Sequence, residues 1–359
     1  MLPTQLAKIR VLIVDDSSFM RLAIRGILAR APKVEVVGTA ADGVEGVEKA
    51  LALSPDLITM DVEMPRLDGI GALKQIMAKQ PTRVLMVSTL TCEGARSTFE
   101  ALDAGAIDYV PKNVSDSKDA QSAFQQALLS KVAEAALVPV PRRHLSAPST
   151  LVKPASPAIV RPSHFAHRRI NCVGIGASTG GPVALQEVLS RVPVNFPHGI
   201  VVAIHMPKAF TGPYAERLNA KCSLSIREAL EGDVVKGGEV LIAPGGRHTS
   251  LVKQGSNIVV RTAPTTDYPQ YIYIPSVDQM LTSLCDASAG AMLGVILTGM
   301  GNDGFKGMKH LKGKGGVTLV QNEATSTIFG MPRACIEGNV ADVVLPLDQI
   351  GYEIGKIGN

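Results

Sequence analysis

No apolar run in this chain is long enough to span a bilayer, and its opening residues, Met-Leu-Pro-Thr-Gln-Leu-Ala-Lys-Ile-Arg, contain no apolar core of secretory length. The expectation is a cytoplasmic protein with no direct membrane insertion. Cysteine is sparse and unpatterned. Cys92, Cys172, Cys222, Cys285 and Cys335 fall without C-x-x-C or Cys/His spacing, so neither a disulfide framework nor a zinc site is indicated, and small buried apolar filler is their expected use. Between Pro139 and Arg169 there are six basic residues (Arg142, Arg143, Lys153, Arg161, Arg168 and Arg169) and no Asp or Glu, so the net charge of +4 becomes −2 for the rest of the chain. The basic balance therefore belongs to a segment rich in Pro, Ser and Ala, which reads as a flexible linker, and the slightly acidic remainder argues against nucleic acid as a partner.

The chain has 359 residues, 46% of them hydrophobic, enough for two cores. The linker divides it into residues 1–138, 139–169 and 170–359. In the first part, β-rich runs at Arg10 to Val14, Val34 to Thr39, Leu57 to Met60, Val84 to Val87 and Tyr109 to Val110 alternate with helical periodicity, such as apolar Phe19, Leu22, Ala23 and Ile27. That alternation predicts an α/β doubly wound parallel sheet, with function at the carboxyl ends of its strands. Asp15 and Asp16 end the first strand, Asp61 the third and Ser88 the fourth, while Lys112 follows the fifth. Carboxylates converging on one edge repel unless a cation neutralises them, and hard oxygen ligands suit Mg²⁺. Asp61 could then attack a phosphoryl donor, with Ser88 sensing the product. A single strand-end Asp is ordinarily a cap or turn residue; five such residues in the right topological places are not explained that way.

Val-Leu-Ile-Val-Asp15-Asp16-Ser, Asp61-Val-Glu-Met-Pro65-Arg-Leu-Asp68-Gly69, Val-Ser88 and Tyr109-Val-Pro-Lys112 resemble the receiver domain of two-component response regulators, over residues 8 to 130. The resemblance implies a flavodoxin-like fold, Asp61 as the phosphorylation site, and Asp15, Asp16, Asp61 and the Glu63 carbonyl around Mg²⁺. It also implies Ser88 and Tyr109 as a switch pair and Lys112 as the phosphate contact. One departure is Asn113 after Lys112, where the family usually has proline after a cis bond.

After the linker, the strand Ile170 to Ile175 runs into Gly176-Ala-Ser178-Thr-Gly180-Gly181-Pro182, which fits G-x-S-x-G at a strand-to-helix turn. It also half-fits a dinucleotide loop, but the next strand, Gly199 to Ile204, ends in His205 rather than the acid a ribose requires. A lone histidine beside a strand is usually packing. Among the seven, however, only His205 occupies a strand terminus in the serine's sheet, while His248 could line a site. A third strand, Ala291 to Leu297, leads into Thr298-Gly-Met-Gly-Asn-Asp303-Gly304, where Asp303 is placed to orient His205 and backbone N–H groups near Met300 to meet an oxyanion. Alone, Asp303 in Asn-Asp-Gly would be a turn residue.

The order Ser178, His205, Asp303 is not that of α/β-hydrolases. Together with Ala-Pro-Gly-Gly-Arg-His248 and Phe329-Gly-Met331-Pro-Arg333, these blocks are similar to the catalytic domain of chemotaxis-specific protein-glutamate methylesterases, which also follows a receiver. Lys208 after Pro207 and Thr325-Ser-Thr-Ile are minor departures. The resemblance implies a Rossmann-like catalytic domain and phosphorylation-activated hydrolysis of glutamate methyl esters on chemoreceptor cytoplasmic domains. It further implies a chemotaxis histidine kinase as phosphodonor, deamidation of receptor glutamines by the same machinery, and no cofactor for the ester step. The rival reading is a phosphorylation-controlled module in which Gly176 to Gly181 cradles a nucleotide or phosphate and no bond is broken; a DNA-binding regulator is disfavoured by the slightly acidic folded parts and the strand-rich second half.

Overall fold

The computed structural model describes residues 8–112, 118–139, 165 and 168–358, with the side chains of residues 118–120 left out. Asn113 and residues 140–164, which hold most of the expected linker, lie outside the described residues. The first half alternates β1 (Ile9–Val14), α1 (Ser18–Leu28), β2 (Val34–Ala40), α2 (Gly43–Leu53), β3 (Leu57–Asp61), α3 (Gly69–Lys79), β4 (Arg83–Thr89), α4 (Cys92–Asp103), β5 (Asp108–Lys112) and α5 (Lys118–Leu137). Its five strands are parallel in the order β2-β1-β3-β4-β5. β3 is buried throughout, as expected of a central strand covered on both faces. β5 reaches further than the apolar pair Tyr109–Val110 suggests because Pro111 is tolerated on an edge strand. Ser17, Asp42, Asp68 and Thr91 each accept a first-turn N–H and start α1 to α4.

The second half contains β6 (Cys172–Ala177), α6 (Gly181–Leu189), β7 (Gly199–Ile204), α7 (Lys208–Lys221), β8 (Ser225–Glu228), β9 (Glu239–Ile242), β10 (His248–Gln254), β11 (Asn257–Ala263) and α8 (Val277–Ala287). It ends with β12 (Met292–Ile296), α9 (Phe305–Gly313), β13 (Val317–Gln321), α10 (Met331–Glu337), β14 (Val343–Leu345) and α11 (Leu347–Gly355). Seven strands form one parallel sheet in the order β14-β13-β12-β6-β7-β9-β8, and β10–β11 is a separate antiparallel hairpin. The chain leaves β6 toward β7 on one side and returns to β12 on the other, so the strand order reverses at β6. Ligand sites of open α/β sheets gather at such a reversal, beyond the carboxyl ends of the strands. Among the described residues no helix is long and apolar enough to cross a membrane, and all five cysteines are free.

The halves meet along α4, β5 and α5. Phe99 and Tyr109 pack on Phe210 and Tyr214 of α7, Tyr109 lying flat on Phe210 with ring centroids 4.7 Å apart. Around this apolar centre Arg96 pairs with Glu216, and Asp103 with Arg217 and Lys221. Burial alone would raise the Asp103 carboxyl, but the two cations outweigh it and hold it below its ordinary value.

Candidate active site

Ser178 follows β6, His205 follows β7 and Asp303 follows β12, so three neighbouring strands deliver the three side chains to one edge. His205 Nδ1 lies 3.0 Å from Ser178 Oγ, and His205 Nε2 lies 2.8 Å from Asp303 Oδ2. The ring nitrogens are used in the opposite sense from the usual serine-protease arrangement, but the chemistry is the same: a carboxylate on one N–H leaves the other nitrogen as acceptor from the serine. Asp303 is held by Val277 and Asp278 N–H at 2.8 Å each and by Ser276 Oγ at 3.2 Å, at the N-terminus of α8. Burial would push this carboxyl up; the bond and charge of His205 and the helix-terminal N–H groups outweigh it and hold it below the ordinary carboxylate range. The Ser276-x-x-Gln279 capping pattern is the one sequence signal for this cradle.

The serine's turn is braced from the β12 side. Ser178 N–H donates to Thr298 O at 3.0 Å, Thr298 Oγ1 donates to Thr179 O at 2.9 Å, and buried Gln321 accepts Thr298 N–H at 2.8 Å. Gly180 adopts φ +75°, and a side chain there would collide with Thr327. At Gly299 a Cβ would stand 2.3 Å from Met331 Sδ and 2.8 Å from Ser178 Cβ. Gly299→Ala is therefore expected to displace Ser178 and slow serine-directed chemistry by about a hundredfold, with a stability loss of about 1–3 kcal/mol. Labelling rate and urea midpoint, measured together, check this; unchanged labelling would contradict the close approach. Met300, next in the loop, is 42% exposed on the rim.

His248 is fully buried with neither ring nitrogen hydrogen-bonded among the described residues, its ring at 5.7 Å from Tyr268 and 5.8 Å from Tyr271. Burial lowers its pKa against the opposing pull of Asp303. Cys285, Asp286 and His310, which no sequence spacing connects, come together on α8 and α9, where His310 Nε2 is engaged by Asp286 at 2.7 Å.

The first half covers this site. Lys131 of α5 bonds Asp108 Oδ2 at 2.6 Å and Thr179 Oγ1 at 2.5 Å, and Thr179 donates to buried Glu134 at 2.6 Å. Nothing in the sequence around Thr179 singles it out, because a contact with a residue 45 positions away has no local signature. A cavity of about 80 Å³ remains, lined by Asp108, Tyr109, Pro111, Lys131, Ser178, Pro182, His205 and Pro207.

At the receiver-like sheet's edge, carboxylate oxygens of Asp15, Asp16 and Asp61 lie within 4.8 Å of one another. Lys112 Nζ is 2.6 Å from Asp61 Oδ2 and 2.9 Å from Asp15 Oδ2, yet the latter contact lacks hydrogen-bond geometry, so that among the described residues this buried oxygen has no donor. Burial, only partly countered by Lys112 and reinforced by Asp15, pushes Asp61 up to about 6. An orphaned buried oxygen beside a second crowded carboxylate is the donor set a hard divalent cation fits. The Glu63 side chain is exposed, so only its carbonyl is left to join such a set. Ser88 is buried and donates to Gly94 O at 3.1 Å. Tyr109, the other half of the expected switch pair, is committed to Phe210 across the interface.

Known families match both halves: the CheB methylesterase family over residues 173–354 and the response regulator receiver domain over residues 11–123. The chain is 68% identical, over the full length of both, to protein-glutamate methylesterase/protein-glutamine glutaminase 1 of Geobacter sulfurreducens. It is 69% identical to methylesterase/glutaminase 5 of Geobacter metallireducens, over 99% of each. The Thermotoga maritima CheB methylesterase catalytic domain, a crystal structure, aligns at 37% identity and TM-score 0.50 over 52% of this chain and 98% of that one.

Proposed function

The chain belongs to the CheB methylesterase family, with a response-regulator receiver ahead of the catalytic part, and on that premise we propose a phosphorylation-activated protein-glutamate methylesterase that works through Ser178, His205 and Asp303. The supporting observation is the Ser178–His205–Asp303 hydrogen-bond chain lying under Tyr109 and Lys131 of the receiver.

Ser178 Oγ attacks the carbonyl carbon of a glutamate γ-methyl ester while its proton passes to His205 Nδ1. Asp303 holds the opposite N–H and stabilises the imidazolium, and backbone N–H groups near Met300 hold the developing oxyanion. The C–O bond to the methoxy group breaks, methanol leaves with the proton from His205, and water repeats the cycle on the acyl-serine to release glutamate. A glutamine amide would lose ammonia by the same steps. The substrates are chemoreceptor cytoplasmic domains.

In the receiver, Asp15, Asp16, Asp61 and the Glu63 carbonyl would hold Mg²⁺, which when bound neutralises the carboxylates and the incoming phosphoryl group. Asp61 takes that group from a histidine kinase, Lys112 pairs with it and Ser88 binds one of its oxygens, drawing Tyr109 off Phe210. The rival binding module lacks any need for the Asp303 cradle. The test is methanol release from methylated receptor membranes with and without a small phosphodonor and Mg²⁺. Release should rise with the phosphodonor in the native protein, and Asp61→Asn should keep the basal rate and lose the rise. No methanol under either condition would end the esterase reading, and acid-stable, hydroxylamine-resistant phosphate on the protein would contradict an aspartyl phosphate.

A further inference from the structure

Tyr273 exchanges no proton with the triad, yet its ring lies flat on the His205 imidazole, with centroids 4.5 Å apart and planes 3° from parallel. We propose that Tyr273 is a positioning residue of the esterase, whose π face stabilises the imidazolium formed when Ser178 surrenders its proton. The inference rests on the reading of His205 as the base.

Three features support it. First, Tyr273 is fixed at both ends of its side chain. A Cβ on Gly301 would stand 2.6 Å from the phenol oxygen, so the ring's far end lies against the loop that carries Met300. Three residues on, Ser276 and the Val277 N–H hold Asp303. One short segment thus sets both the carboxylate at the edge of His205 and the aromatic face over it. Second, the tyrosine is 37% exposed and its neighbour Ile272 87% exposed, so the stack lies at a solvent-facing edge of the site. Third, the chemistry is selective in time. A cation over an aromatic face is attracted by the ring quadrupole, whereas a neutral imidazole gains only packing. Stabilisation that grows as the proton moves to His205 lowers the barrier rather than merely holding the ground state.

Charged groups around His205 include Asp303 at Nε2 and Asp108 and Lys131 across the small cavity, and Lys208 opens α7 three residues further along the chain. They stay constant when only Tyr273 is changed. The experiment uses the full-length protein with phosphodonor and reads phosphonylation of Ser178 by a fluorophosphonate against pH. In that step Ser178 Oγ bonds to phosphorus, fluoride leaves and the proton goes to His205. Tyr273→Leu is expected to slow labelling and methanol release by about three- to thirtyfold and to move the acidic limb of the rate to lower pH by about half a unit or more, because the protonated ring loses its support. Tyr273→Phe keeps the face and should stay within about twofold on both readouts. A Leu variant that folds with the native urea midpoint but keeps the native acidic limb overturns the inference, as does a Phe variant as slow as Leu. If the native protein itself is not labelled while remaining folded, the fault lies with Ser178 and His205 as nucleophile and base.

Discussion

Ser178→Ala and His205→Ala should each lower methanol release by about 10³- to 10⁶-fold while leaving the fold intact. The size comes from how the parts depend on one another. Without the hydroxyl there is no acyl intermediate, and without His205 Nδ1, 3.0 Å away, the hydroxyl has no base. Members of such a unit fail together, and the activity that survives is the residual effect of binding and oxyanion stabilisation. Folding should be spared because, among the described residues, Ser178 Oγ has one partner, His205, and the backbone bond from Ser178 N–H to Thr298 O does not involve the side chain. Asp303→Ala should cost less in rate, since His205 still visits the productive orientation. It should cost more in stability, because Val277 N–H, Asp278 N–H and Ser276 Oγ all lose their acceptor. Thermal melting and methanol release measured on the same three variants separate these effects; near-native turnover by Ser178→Ala would sink the hydrolase reading.

Strand ends are legible in this sequence because a parallel sheet buried on both faces is written as continuous apolar runs, and the residues directly after each run must lie at the sheet's edge. Ser178, His205 and Asp303 could therefore be placed together although 125 residues separate the first from the last. The same reasoning placed Asp15, Asp61, Ser88 and Lys112. Periodicity does not encode which surface of one half faces the other. α5 is the clearest case: Phe124, Leu128, Val132 and Ala135 are buried with the receiver's core, while Lys131 and Glu134 point at Thr179. A helix whose charged residues are buried by a second domain reads, from its own sequence, as solvated on that side. The β10–β11 hairpin escapes sequence reading for a related reason, since its polar residues lie on a ribbon outside the main sheet. Tyr273 lies in a loop whose aromatic residues have no period at all, so only the fold reveals the rings they stack on.

Removing residues 1–138 should yield a fragment about five- to a hundredfold more active than the unphosphorylated full-length protein and indifferent to phosphodonor. The cavity above Ser178 and His205, about 80 Å³ and walled by Tyr109, Pro111 and Lys131, is too small to admit a helix presenting an ester side chain. On the proposed reading, the receiver moves for substrate to enter. Its hold is divided between the Tyr109–Phe210 stack, the Lys131 and Glu134 bonds to Thr179, and rim ion pairs. Phosphate on Asp61 that draws Tyr109 toward Ser88 would take away the stack, and a loss of about 1–3 kcal/mol corresponds to an activation of that size. The rim offers a gentler test. Asp103 is partly exposed and faces Arg217 and Lys221, so Asp103→Lys sets three cations together without disturbing either core. Exposed pairs contribute up to about 1 kcal/mol each, so basal activity should rise a few-fold, less so at high salt, with phosphodonor stimulation retained on top. A fragment no more active than the intact, unphosphorylated protein would instead mean that the receiver activates by direct contact, and Asp103→Lys should then lower the stimulated rate.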